Sequence, residues 1–147
     1  MSSRRIEDLH YYLAAQYKKA VAEFEQCYPE AAKPILTFTY RSKVEQDALY
    51  AQGRTSAGPI VTNAKGGQSL HNYKPSFAFD IAFKKANGQL DWSEHLFKDF
   101  ADILCRSPYI EWGGNWKKFK DRPHFQFKGF TWRMAAAGKQ PNFDKPA

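Results

Sequence analysis

The segment Phe77-Ala-Phe-Asp-Ile-Ala-Phe83 constrains the fold more than any other stretch of the chain. Strict alternation of large apolar with small or polar residues is the period of a β-strand and not of a helix. Phe77, Phe79, Ile81 and Phe83 make one bulky face, which must pack against other apolar groups. Ala78, Asp80 and Ala82 make the opposite face, where two small side chains leave space above a carboxylate. Residues 124–127, His-Phe-Gln-Phe, repeat the design, with Phe125 and Phe127 on one side and His124 and Gln126 on the other.

The remaining elements follow from periodicity and punctuation. Ile6, Leu9, Leu13, Ala20, Val21 and Phe24 recur at three- and four-residue steps and predict a helix over 4–28. Residues 35–40 predict a strand, and Ser42-Lys-Val-Glu45 is a capping-box pattern that opens a short helix through Gln52. Residues 53–67 are loop-like, and Asn87-Gly88 signals a turn. Ser93 is placed to cap a helix to Cys105, with Trp92 and Phe97 as a hydrophobic staple. The order predicts a single small α+β domain over 1–138, a mostly antiparallel sheet flanked by helices, then a polar tail over 139–147. A length of 147 residues at 43% hydrophobic supports one core.

No apolar run approaches the ~20 residues that a membrane span needs. The N-terminus carries charge without an apolar stretch behind it, so the expectation is a chain made in the cytoplasm that reaches any outer target by another route. The two cysteines, Cys27 and Cys105, lie in helix-like apolar patterns and are expected to be buried free thiols. There is no CxxC pair to hold a structural metal.

Two histidines and two aspartates carry the chemical signal. His71 lies nine residues before Asp80, and Asp121 lies three residues before His124. Two imidazoles and a carboxylate with an open fourth position are a catalytic zinc arrangement, and a further carboxylate can serve as general base. Spacing alone leaves open that these histidines merely face solvent. His10, among helical charges, and His95, in the first turn of the 93–105 helix, read as surface histidines.

The run Ser69-Leu-His71-Asn-Tyr-Lys-Pro-Ser-Phe-Ala78-Phe-Asp80 resembles the Ser-x-His…Ala-x-Asp signature of a peptidase family. That family comprises the zinc D-alanyl-D-alanine carboxypeptidases and L-alanyl-D-glutamate peptidases, VanY-type enzymes and bacteriophage endolysins among them. Glu111-Trp112-Gly113-Gly114-Asn-Trp116 and Asp121-Arg-Pro-His124-Phe-Gln126 resemble its Trp-Gly-Gly…Asp-x-Pro-His-Phe segment. Tyr40-Arg41-Ser42 through Thr62 is similar to the substrate-side segment of the phage-type members. The resemblance implies one zinc per chain on His71, Asp80 and His124, on the sheet face. It implies Asp121 as the carboxylate that takes the proton of the attacking water, and Arg41 as a group aimed at the scissile carbonyl. Ser69, Arg54, Gln46 and Trp112 are the expected substrate contacts, although Trp112 and Trp116 could equally cap the core. One departure stands out: eight residues separate His71 from Asp80, two more than the family pattern, with Lys74-Pro75 where a glycine is expected.

The implied function is hydrolysis of the stem peptide of peptidoglycan, at the L-Ala–D-Glu bond, by a monomeric phage-type endolysin. The alternatives are a D-alanyl-D-alanine carboxypeptidase and a wall-binding module without catalysis. The net charge of +7 favours anionic partners, and Lys117, Lys118, Lys120 and Arg122 interleave with Trp116 and Phe119. Single-stranded nucleic-acid binders also show basic-plus-aromatic clusters. A nucleic-acid partner is not expected here, because it leaves the His/Asp/His set unexplained; anionic wall or envelope phosphates suit the cluster better.

Overall fold

The computed structural model describes residues 2–142. After a 3-10 turn at Ile6–Asp8, the elements are α1 (Tyr11–Cys27), β1 (Lys33–Phe38), α2 (Lys43–Ala51), β2 (Ala78–Lys84), β3 (Leu90–Asp91), α3 (Glu94–Leu104), β4 (Ile110–Trp112), β5 (His124–Phe127) and α4 (Trp132–Ala136). The sheet runs β1-β2-β5-β4, with β3 pairing β2, and every one of these pairings is antiparallel. The α+β architecture expected from the strand pattern is therefore present.

The bulky face of β2 and β5 packs under α1 and α3. Phe79 stacks on Phe125 with centroids 5.4 Å apart and meets Tyr17 of α1 edge-on. Phe83 touches Phe24 of α1 and Phe97 and Phe100 of α3. Aromatic pairs of this kind contribute about 0.5–1.5 kcal/mol each beyond the area they bury. With one face of the sheet committed to this core, register is strongly specified, because a one-residue slip would expose every phenylalanine. That register puts Asp80 directly opposite His124.

Several local expectations change in the tertiary setting. The predicted 4–28 helix is broken at Leu9 and His10. Leu9 forms a bridge with Ser76, whose N–H donates to Asp8 O at 2.7 Å and whose carbonyl accepts from His10 N–H at 2.9 Å. Two backbone bonds to a distant segment outweigh continuation of one helical turn. His10 is consequently buried rather than on the surface; its Nδ1 accepts from Tyr12 N–H as the cap of α1, and its ring lies edge-on to Phe127. His95 is exposed, as expected. The residues between His71 and β2 form this same junction, with Lys74 3.5 Å from Asp8, so the longer loop is tied to the N-terminal segment.

Ser42 caps α2 by accepting from Glu45 N–H, and Trp92 stacks on Phe97 as the staple of α3. Ser93 does not cap with its side chain; its hydroxyl donates to Asp91 instead. Strand β4 and helix α4 had no counterpart among the expected elements. Both are short, and β4 exists by pairing with β5. Residues 143–147 of the predicted tail lie outside the described residues.

Cys27 is exposed at the end of α1, against the expectation of burial. Cys105 is half-buried, and burial, followed by the charges of Asp102 and Glu111, pushes its thiol up to about 11. The thiolate is the reactive form. A thiol reagent at neutral pH should therefore label one cysteine rapidly, and peptide mapping should place that label on Cys27, with Cys105 reacting only on unfolding.

Candidate metal centre

Three elements bring the centre together. Asp80 and His124 come from paired strands, and His71 comes from a 3-10 turn, Leu70–Asn72, laid over the small-residue face of β2. Ser69 accepts from His71 N–H, and the Asn72 side chain bonds back to Ser69 N–H, a reciprocal cap that fixes the turn. His71 Nε2, His124 Nδ1 and Asp80 Oδ1 form a triangle with edges of 3.1, 3.2 and 3.0 Å. A tetrahedral zinc with bonds of 2.0–2.2 Å needs ligand–ligand edges of about 3.3 Å.

The donor set itself tests whether these residues suit a metal. His71 Nδ1 lies 2.8 Å from the Thr39 carbonyl, which can only accept. His124 Nε2 lies 2.8 Å from Gln126 Oε1, and the amide nitrogen of Gln126 donates to Glu111 Oε1 at 2.8 Å. Both outer ring nitrogens thus carry the proton, and the inner nitrogens of neutral rings turn lone pairs toward a carboxylate oxygen. Three acceptors so close require a cation among them. Without a metal a proton serves: burial alone would lower His124, but the hydrogen bond and charge of Asp80 outweigh it and raise the imidazole above its usual range. Burial likewise opposes ionisation of Asp80, and the charge and hydrogen bonds of His71 and His124 prevail, holding its carboxyl well below the ordinary value. The residues fit zinc, and their outer-nitrogen partners are of the kind that orient metal-binding histidines.

Thr39 is itself locked. A bulge in β1 sets Phe38 opposite Asp80, and the next residue, Thr39, donates through N–H to Ser3 O and through its hydroxyl to Arg5 O. The carbonyl that orients His71 is therefore held by the N-terminal segment.

A cleft of about 690 Å³ surrounds the triangle and is lined by Phe38, Arg41, Gln46, Trp116, Asp121 and Trp132 among others. Arg41 lies over the Phe38 ring, with Nη1 donating to Gln46 Oε1 at 3.2 Å and Nη2 3.6 Å from Asp80 Oδ2. Gln46 is buried and donates to Ala64 O, which ties the loop to α2. Asp121 opens the turn that leads into His124: its N–H donates to Gly113 O at 3.0 Å, and its carbonyl accepts from His124 N–H at 3.1 Å. A Cβ on Gly113 would collide with the Asp121 carbonyl, and one on Gly114 would enter the Trp112 ring, so the Gly-Gly pair is sterically required. Burial, and then the charge of Asp80, raise the Asp121 carboxyl above the usual range, offset in part by His124, His71 and Arg41.

Of the expected site residues, His71, Asp80, His124, Arg41, Asp121, Gln46 and Ser69 share this one cleft. Two do not. Trp112 is buried in the core and donates from Nε1 to Arg122 O at 2.7 Å; Trp116 faces the cleft in its place. Arg54 stacks on Tyr50 and donates to Tyr50 O, Thr62 O and Asn63 Oδ1, which organises its own loop. Sequence reasoning gave no role to Thr39 or Gln126. Alternation placed Gln126 beside His124 on the polar face, a usable signal; nothing local marks the Thr39 carbonyl.

Comparison with known proteins agrees with this geometry. A family model described as D-alanyl-D-alanine carboxypeptidase matches residues 62–127, the stretch that holds His71, Asp80, Asp121 and His124. The chain resembles these peptidases in sequence. It is 41% identical over 100 residues to the peptidoglycan L-alanyl-D-glutamate endopeptidase CwlK of Bacillus subtilis, an alignment covering 63% of this chain and 59% of CwlK. The chain thus matches little more than half the length of that relative. Its fold matches that of the Serratia marcescens L-Ala D-Glu endopeptidase ChiX with a TM-score of 0.63, at 22% identity over 87% of this chain and 89% of that one.

Metal analysis of the purified protein should find one zinc per chain, and His71→Ala/His124→Ala should remove it. Zinc affinity should fall on acidification, because the ligands must shed protons to bind.

Proposed function

We propose that this chain is a zinc peptidase that hydrolyses the stem peptide of peptidoglycan at the L-Ala–D-Glu bond. The observation that carries the reading is the convergence of the His71–Asp80–His124 triangle and a raised, half-buried Asp121 on one cleft. The bond is inferred from the L-alanyl-D-glutamate endopeptidase at 41% identity.

His71, Asp80 and His124 would hold the zinc, which supplies Lewis-acid polarisation of the carbonyl and a lowered pKa for the attacking water. Asp121 accepts the proton of that water and returns it to the leaving amine; its raised pKa suits both halves of the transfer. Arg41 is held by Gln46 and by Phe38 with its guanidinium at the edge of the triangle, where it can stabilise negative charge developing on the carbonyl oxygen. Among the described residues its Nε is buried without a hydrogen-bond partner. Ser69 and Trp116 line the same cleft and are the substrate contacts of this reading.

Incubation with purified peptidoglycan, with mass analysis of the products, tests the bond: new N-terminal D-Glu supports the proposal, and release of D-Ala alone overturns it in favour of a carboxypeptidase. Asp121→Asn should keep zinc and fold while activity drops about 10²–10⁴-fold, since an amide cannot accept the proton.

The resemblance of the Tyr40–Thr62 segment to phage-type members supports an endolysin that works as a monomer on the wall once the membrane has been opened. Lys117, Lys118 and Lys120 are exposed on the loop between Trp116 and Asp121, both of which line the cleft, and suit anionic wall phosphates. Permeabilised cells should therefore lyse when intact cells do not. Lysis should weaken with salt as screening shortens to a Debye length of ~8 Å at physiological strength, while cleavage of a small soluble peptide changes little. Replacing the three lysines by glutamine should flatten the salt dependence of lysis.

A further inference from the structure

The two histidines of the centre are oriented by partners of different kinds. His71 donates to a backbone carbonyl, that of Thr39, which no side-chain substitution removes. His124 is oriented through side chains alone, by Gln126 and then Glu111, each contact 2.8 Å long. Glu111 and Gln126 face each other across the β4–β5 register, so the pair is built into the sheet. An amide can offer an imidazole either its oxygen or its NH2 group. A carboxylate can only accept, so Glu111 takes the NH2 end of Gln126 and turns the carbonyl end to His124. A carbonyl at Nε2 requires the proton there, and the lone pair is left on Nδ1, the atom that faces Asp80 and His71.

We propose that Glu111 is a positioning residue which, through Gln126, holds the proton of His124 on Nε2 and so keeps Nδ1 ready for a metal. The proposal rests on reading His71, Asp80 and His124 as a metal centre and is independent of which bond is cut.

Reversing the polarity at position 111 tests it. In Glu111→Lys a donor replaces the acceptor; the Gln126 carbonyl turns to the lysine, and the NH2 end meets His124 Nε2. Adding Gln126→Glu restores an acceptor to both neighbours. Zinc affinity is read by competition with a chelator, and the hydrogen-bonded Nε2–H proton of His124 by NMR of the zinc-saturated protein. Glu111→Lys should weaken zinc about 10–100-fold, the usual scale for outer-shell partners, and the Nε2–H resonance should move upfield and exchange faster. Glu111→Lys/Gln126→Glu should recover the affinity to within a few-fold, together with the resonance. If Glu111→Lys does not fold, Gln126→Leu takes its place and should show the same two losses. Zinc affinity or an Nε2–H signal unchanged in the single variants overturns the proposal, as does a double variant as weak as Glu111→Lys. A wild-type chain that binds no zinc would overturn the metal-centre reading itself, and the relay with it.

Discussion

Three lone pairs turned toward one point, at 3.0–3.2 Å from one another, are the arrangement on which the rest of this structure depends. Neutral acceptors and a carboxylate repel unless a cation lies among them, so the surroundings must hold them in place against that repulsion. They do so from behind each ligand. The Thr39 carbonyl holds His71, Gln126 holds His124, and Arg41 stands 3.6 Å from the outer oxygen of Asp80. Each support has its own anchor: Thr39 on the N-terminal segment, Gln126 on Glu111, Arg41 on Gln46 and Phe38. The centre is thus the inner layer of a polar network whose outer layer reaches both edges of the sheet.

That network can be rigid because the opposite face of the sheet is apolar and closely packed. Phe79, Phe83 and Phe125 are fully buried under α1 and α3, and their packing specifies the register that pairs Asp80 with His124. Packing and chemistry are divided between the two faces of the same strands. The small residues Ala78 and Ala82, both fully buried, flank Asp80 along the strand. The bulge in β1 and the Gly113-Gly114 pair are local departures from regular structure, and each serves the site, one by presenting the Thr39 carbonyl and the other by admitting Asp121.

A raised Asp121 carboxyl beside a depressed Asp80 carboxyl separates two chemically identical groups into two roles. Asp80 sits between two imidazoles, whose charge and hydrogen bonds favour its ionised form, the form a metal would need. Asp121 is half-buried and feels the charge of Asp80, which His124, His71 and Arg41 offset only in part, so its carboxyl is raised. Lys117, Lys118 and Lys120 are exposed on the loop that leads to Asp121.

Part of the centre was legible because strand alternation is a local property: period two places Asp80, His124 and Gln126 on the polar side whatever surrounds them, whereas His71 and the metal-binding role of the set were implied only by the resemblance to a peptidase family. The staple at Trp92 and the cap at Ser42 were legible for the same reason, since both depend on near neighbours. What lay beyond local pattern came from contacts between distant segments. The helical period through Leu9 yielded to a bridge with Ser76, His10 went into the core, and Trp112 turned inward because β4 pairs with β5 in a register that sets it opposite Phe125. Arg54 was taken up by its own loop. The amino-acid sequence determined which atoms can bind a metal and on which faces they stand. Only the tertiary structure decided which nitrogen of each histidine carries its proton, because that depends on a carbonyl 32 residues away and on a glutamate across a strand.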